Sequence, residues 1–276
     1  MFATDHSMDV VELAQAVEAR GFSSLHAPEH THIPTGRDTP APTGDEQLGD
    51  QYLRTLDPFV ALTAAATATT RLRVGTGICL VAQRDPIVTA KAVASLDFLS
   101  GGRFSFGIGF GWNREEMADH AVAYADRRAI VRERILAMRS LWEDDEASFA
   151  GEHVQLSPSW AWPKPIQRPH PPILIGGAAG PKLFEHIVEY ADGWIPIGGA
   201  GLSSALPELH RTAEATGRDP ATLTVVPFGT IPNQGKLDHY ASLGIDEVVL
   251  QLPHAPADQV LRVLDRHAEF LEPVGA

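Results

Sequence analysis

Short apolar runs alternate along this chain with stretches in which apolar residues recur every three to four positions. The runs that read as strands fall at 2–5, 24–28, 73–79, 103–108, 173–176, 193–196, 224–228 and 247–252. Most are continuously apolar, as in Val248-Val249-Leu250, the pattern of parallel strands covered on both faces. The stretches between them read as amphipathic helices. Val10, Leu13, Ala14 and Val17 mark the first, with Ser7 as its expected N-cap and Gly21 where a left-handed residue ends it. Val131, Ile135, Met138 and Trp142 mark another, and Val260, Val263, Leu264 and Leu271 the last. Eight strand–helix units in about 250 residues predict an α/β chain folded as a (β/α)8 TIM barrel rather than an open doubly wound sheet. The units use up residues 1–276 and predict a single domain, although the first strand is cut short at Met1.

Barrel geometry turns chain order into location, because connections that follow strands lie on the catalytic face. Two of these are long, 29–57 and 109–126, as expected of lids or binding loops. On the opposite face, 147–172 holds an expected hairpin turning at Gly151-Glu152, then Trp160 and Trp162, which read as packing or a subunit contact.

Composition narrows the setting. The chain has 35 acidic against 22 basic side chains, a formal charge of −13 and one cysteine. An internal disulfide and a thiolate metal cluster are excluded, and no basic run is available for nucleic acid. No apolar stretch reaches the ~18 residues of a membrane span, and the N-terminus lacks a signal pattern. These features predict a cytoplasmic protein without nucleic-acid or membrane partners.

The densest titratable cluster is Glu29-His30-Thr31-His32, at the end of the second strand candidate. An acid and an imidazole placed there face a barrel mouth and can move protons near neutral pH. His30 and His32 could instead be a metal pair, but the later strand ends add only His254, so no metal site is expected. The fourth strand runs into Gly107-Ile108-Gly109-Phe110-Gly111-Trp112-Asn113, a glycine spacing that does not match a dinucleotide fingerprint. Gly176-Gly177-Ala178 leads into a helix beginning near Pro181, which reads either as an anion site or as a tight turn, with Lys182 adding charge. Gly75-Thr76-Gly77-Ile78-Cys79 places glycine inside a buried strand, as a bulge or a close approach requires, and Cys79 reads as a small buried residue.

Taken together, Glu29 to Pro34, Arg84-Asp85-Pro86, Ser95-Leu96-Asp97, Leu99 to Arg103, Gly107 to Glu116, Ala191-Asp192-Gly193-Trp194 and Gly217-Arg218-Asp219-Pro220 resemble the luciferase-like monooxygenase superfamily, in its F420-dependent oxidoreductase branch. The resemblance covers nearly the whole chain. It implies a deazaflavin, coenzyme F420, over the barrel mouth, with FMN as the alternative coenzyme. It further implies a non-prolyl cis peptide at Gly77-Ile78 and a role for His30, with Glu29, as proton donor or substrate orienter. The implied coenzyme contacts are Asp5, Gly77, Ile78, Gly107, Ile108, Gly109 and Asn113, with Gly176, Gly177 and Ala178 on the phosphate. Lys91, Asp97 and Arg103 are expected to form internal salt links. A small organic substrate would exchange a hydride with the coenzyme under a lid formed by 29–57, with Tyr52, Phe110 and Trp112 as apolar wall. Rival readings are an oxygen-using FMN monooxygenase and a barrel that binds coenzyme without turnover. A homodimer is the expected assembly.

Overall fold

The apolar runs fold as parallel strands and the periodic stretches as the helices between them. The computed structural model describes residues 1–41 and 47–271, so residues 42–46 of the expected lid lie outside the described residues. The first half of the chain runs α1 (Val10–Ala19), β1 (Ser24–Ala27), α2 (Pro58–Thr67), β2 (Arg73–Thr76), β3 (Cys79–Leu80), α3 (Pro86–Ser100), β4 (Phe104–Gly109), α4 (Arg114–Asp119) and α5 (Arg127–Glu143). An antiparallel hairpin, β5 (Ala147–Ala150) and β6 (Gln155–Ser159), follows as expected. The second half runs β7 (Ile173–Gly176), α6 (Pro181–Tyr190), β8 (Gly193–Ile195), α7 (Leu202–Ala215), β9 (Thr224–Val225), β10 (Phe228–Thr230), α8 (Gln234–Ser242), β11 (Val249–Leu250) and α9 (Ala257–Ala268).

A parallel sheet of order β1-β2-β4-β7-β8-β9 carries β3 as a second partner of β4, and β10 pairs separately with β11. The third predicted strand is split into β2 and β3 at Gly77-Ile78, whose peptide bond is cis. The seventh is split into β9 and β10, yet Phe228 N still donates to Pro196 O at 2.8 Å, so the curved wall continues from β8 through β10 to β11.

The eight-stave expectation is corrected at the first stave. Residues 2–5 form no strand: Thr4 makes one antiparallel bridge with Thr55, while its amide and carbonyl are taken by the hydroxyl and amide of Ser7. Side-chain capture of the backbone competes with a ladder in this way. The sheet is therefore not closed by backbone pairing. Side chains span the seam between β11 and β1, where Glu247 accepts from Ser24 Oγ at 2.8 Å and from Arg73 Nη2 at 2.6 Å.

Inside the curve, Leu174, Ile195 and Val226 pack with Ile78, Phe228 and Val249. Outside it, α5 buries Val131, Ile135, Met138 and Trp142 as its periodicity predicts. Phe104, Phe106 and Trp142 stack between sheet and helices, and Trp142 Nε1 donates to Ala90 O at 3.0 Å. Fully burying side chains of this size contributes about 1.5–3 kcal/mol each.

Local details depart from expectation for readable reasons. Asp9 rather than Ser7 caps α1, accepting from Val11 N and Glu12 N, while Gly21 takes the expected positive φ of 85°. Leu271 falls past the end of α9. Lys91, Asp97 and Arg103 form no salt links with one another; each serves backbone groups. Asp97 accepts from the amides of Ile166 and Gln167, Arg103 donates to the carbonyls of Ala66, Thr69, Leu72 and Ser100, and Lys91 donates to that of Trp162. No helix among the described residues is long and apolar enough to cross a membrane.

Candidate active site

The segment after β1 delivers His30 to the barrel mouth. Its Nδ1 lies 2.8 Å from Glu116 Oε2, and the two side chains are only 7% and 1% exposed. Glu116 Oε1 accepts from Thr31 N at 3.2 Å, so both carboxylate oxygens are spent on one short stretch. With the carboxylate accepting at Nδ1, the imidazole carries its proton there and presents Nε2 as a proton acceptor. The rings of Tyr52 and Trp112 stand 5.5 and 5.6 Å from that of His30 and form an apolar collar.

Glu116 is the site residue that sequence reasoning did not assign. It occupies the third position of α4, and Asn113 caps that helix by accepting from Glu116 N at 3.2 Å. The pattern Asn113-x-x-Glu116 is that of a capping box, in which the acid would turn back onto the cap. Here the acid turns to the imidazole instead.

Glu29 is not beside His30 as a proton carrier. It is buried, accepting from Leu80 N at 2.7 Å and paired with Arg84, which also binds Asp57. It therefore fastens β3 and the start of α2 to the mouth. Cys79 lies next to it, buried as expected; burial first, then the Glu29 carboxylate, pushes the thiol well above its ordinary range. His32 diverges from His30 and meets Asp119 at 2.9 Å. Among the described residues no His, Cys, Asp and Glu side chains cluster as a metal site.

The glycines divide by role. A Cβ at Gly107 would fall 2.0 Å from Thr76 O, so this glycine lets β2 and β4 approach. A Cβ at Gly109 would fall 2.6 Å from Ile78 Cδ1. Gly109 thus admits the Ile78 side chain, which with half-buried Gly77 forms the floor of the mouth. Ile108 turns its side chain into the core, leaving only its backbone for the site. Asp5 lies in an exposed turn and pairs with Arg54 at 2.9 Å.

Opposite His30, the turn after β7 offers backbone donors. Trp194 Nε1 holds Gly177 O at 2.9 Å. The amides of residues 177–180 donate to nothing among the described residues. They open at the N-terminus of α6, where backbone N–H groups and the helix dipole favour an anion. Phe110 is buried rather than lining the mouth, and it stacks against His186 of α6 and under Arg128.

Among the described residues, the buried donors without acceptors include Asn113 Nδ2, Arg127 Nε and Arg128 Nη1. Burial, then the neighbouring Arg127 charge, holds the Arg128 guanidinium below its ordinary value. Unmatched buried donors cost about 1–3 kcal/mol each. Asn113 Nδ2 and the open amides fit a ligand carrying amide-like acceptors and a phosphate, as F420 and FMN both do.

The comparisons with known proteins agree with this architecture. An uncharacterised protein of Mycobacterium tuberculosis is 42% identical over 274 residues, covering 98% of this chain and 96% of that one. The F420-dependent hydroxymycolic acid dehydrogenase of the same organism is 30% identical over 229 residues, 80% of this chain and 57% of that protein. Among solved structures, the monooxygenase RslO1 from Streptomyces bottropensis superposes with a TM-score of 0.77 at 20% identity, covering 95% of this chain and 92% of that one, which shows a shared fold. The sequence profile of the luciferase-like monooxygenases matches residues 4–232, and this chain belongs to that family.

Proposed function

We propose that the protein is an F420-dependent oxidoreductase acting on a small organic substrate. The observation that carries this reading is the buried His30–Glu116 pair beside the unmatched donor Asn113 Nδ2, which caps the helix that carries Glu116. The similarity to a dehydrogenase named as F420-dependent supports the choice of coenzyme. When bound, the deazaflavin supplies hydride transfer without forming a flavin peroxide.

The chain's own residues supply the rest. The amides of 177–180 would hold the phosphate, and Asn113 Nδ2 would donate to a polar acceptor on the coenzyme. Ile78 and Gly77 make the floor against which a flat ring rests. His30 Nε2 takes the proton of an alcohol oxygen while the substrate is oxidised, or returns it in the reverse direction, and Glu116 stabilises the imidazolium formed. Tyr52 and Trp112 exclude water from the side on which the substrate enters.

The test is a titration of the purified protein with F420 and FMN side by side. F420 binding with FMN at least tenfold weaker is the expected result. Tight FMN binding without F420 binding, together with oxygen-dependent turnover, would overturn the coenzyme assignment in favour of a flavin monooxygenase.

A further inference from the structure

Thr31 joins the buried His30–Glu116 pair to the protein surface. Its Oγ1 donates to Glu116 Oε1 at 3.5 Å and lies 3.0 Å from His32 Nδ1 and 2.8 Å from His120 Nε2. His32 Nε2 in turn donates to Asp119 Oδ2 at 2.9 Å. Glu116 and Asp119 lie on α4 and His120 directly follows it, so the spacing i, i+3, i+4 turns all three toward the segment 30–32. The path begins at side chains only 7% and 1% exposed, those of His30 and Glu116. It ends at exposed His32 and half-buried His120.

A threonine hydroxyl has one proton and two lone pairs. Asp119 holds neutral His32 as the tautomer whose Nδ1 is bare, so Thr31 can donate to His32 while accepting from His120, or turn to Glu116 and accept instead. A group that can reverse its donor direction between a buried carboxylate and a surface imidazole is what proton passage requires. His30 needs such a passage. While substrate fills the mouth, its Nε2 faces the reacting oxygen and the Tyr52 and Trp112 rings flank the imidazole. Nδ1 is the remaining nitrogen, and it faces Glu116.

We infer that Thr31, with His32 and His120, forms a proton exit that drains His30 to solvent while the mouth is occupied. The exit rests on the F420-dependent reading for its use in turnover. The His30 imidazolium passes its Nδ1 proton to Glu116 Oε2. A half-turn of the carboxyl presents that proton to Thr31 Oγ1, whose own proton passes to His32 Nδ1, with His120 Nε2 as the second acceptor. The receiving imidazole releases a proton from its other nitrogen to buffer. Each N–H or O–H bond that breaks is matched by one that forms, Glu116 returns to its carboxylate, and one proton has moved from His30 to solvent. Run backwards, the same steps supply the proton for reduction of a carbonyl. The imidazoles matter because they accept a proton near neutral pH, which a hydroxyl alone does not.

The experiment reads solvent exchange of the His30 Nδ1–H by nitrogen NMR in the coenzyme-free protein, for wild type, Thr31→Val, Thr31→Ser and H32N/H120N. Thr31→Val keeps the shape and the backbone donor to Glu116 but has no hydroxyl; exchange slows at least about tenfold there and recovers in Thr31→Ser. In H32N/H120N exchange slows in dilute buffer and is restored by added imidazole, a rescue that a merely structural role does not give. Equal exchange in wild type and Thr31→Val, no slowing in H32N/H120N, or a slowing that imidazole leaves unchanged would overturn the exit. Turnover with F420 follows the same order: kcat falls in Thr31→Val and in H32N/H120N, and imidazole restores the second alone. Undiminished kcat in both variants also overturns it. Absence of F420 turnover in wild type would instead sink the F420 reading, and the exchange comparison still decides whether the exit conducts.

Discussion

Replacing Glu116 by glutamine isolates the link on which the proposed chemistry depends. Glu116 is 1% exposed at its side chain and accepts twice, from His30 Nδ1 at 2.8 Å and from Thr31 N at 3.2 Å. An amide of the same shape keeps one accepting oxygen, so one of the two N–H groups then faces an NH2. Losing a hydrogen bond to a charged acceptor costs about 1.5–3 kcal/mol, and about 1.4 kcal/mol is a factor of ten in rate. Glu116→Gln should therefore lower kcat by about ten- to a hundredfold, while the Kd for coenzyme changes by less than about twofold. The assay follows coenzyme oxidation or reduction with the best substrate from a panel of alcohols and carbonyl compounds, across pH. A cycle with His30→Ala sharpens it: once the imidazole is gone, adding Glu116→Gln should change kcat by less than about twofold. Full activity in the single variant, or an additive loss in the double, would refute the coupling.

Three further outcomes follow from the same structure. Asn113→Asp keeps the oxygen that caps α4 but removes the unmatched Nδ2 donor, so coenzyme affinity should drop about tenfold with thermal stability retained; unchanged affinity in a binding titration would place the coenzyme elsewhere. Gly107→Ala sets a Cβ 2.0 Å from Thr76 O and should destabilise the fold by about 1–3 kcal/mol or more in urea unfolding, a neutral result counting against the tight β2–β4 approach. Burial lowers His26 from 6.5 to about 4, so its neutral form is favoured in the folded state. The stability this contributes is complete above pH ~6.5 and is lost as pH falls through about 4, roughly 3 kcal/mol in all. Urea midpoints at pH 7 and 4.5 should converge more for His26→Leu than for wild type, and parallel losses in both proteins would exclude His26 as the source.

Periodicity made the fold legible because it reports burial, and burial is what strands and helices of a barrel share. The runs at 24–28, 103–108 and 173–176 correspond to β1, β4 and β7 to within a residue or two. What escaped was governed by backbone chemistry that hydrophobicity does not encode. The self-bonded turn of Thr4 and Ser7 displaced a first strand, and the split at Gly77-Ile78 was expected only through resemblance to relatives. The site was half legible in the same sense. His30 stood out as an imidazole at a strand end, but Glu116 lies 86 positions away and announces itself locally as a capping residue. Glu29, adjacent to His30 in sequence, points to Leu80 and Arg84 instead. Neighbours in a loop need not share a task.

The seam between β11 and β1 gives the molecule a stiff side and a yielding side. Strand β4 is clamped between β2, β3 and β7 by backbone ladders, whereas β1 has such a ladder on one edge and, across the seam, the Glu247 clasp to Ser24 and Arg73. Segments with fewer shared backbone bonds open first and most often. His30 hangs from the yielding side, and Glu116 is anchored in the helix that follows the stiff one. Their hydrogen bond is therefore also a mechanical tether. It fixes the imidazole, carried on the side with the incomplete ladder, to the helix that follows β4 on the side where the ladders are continuous.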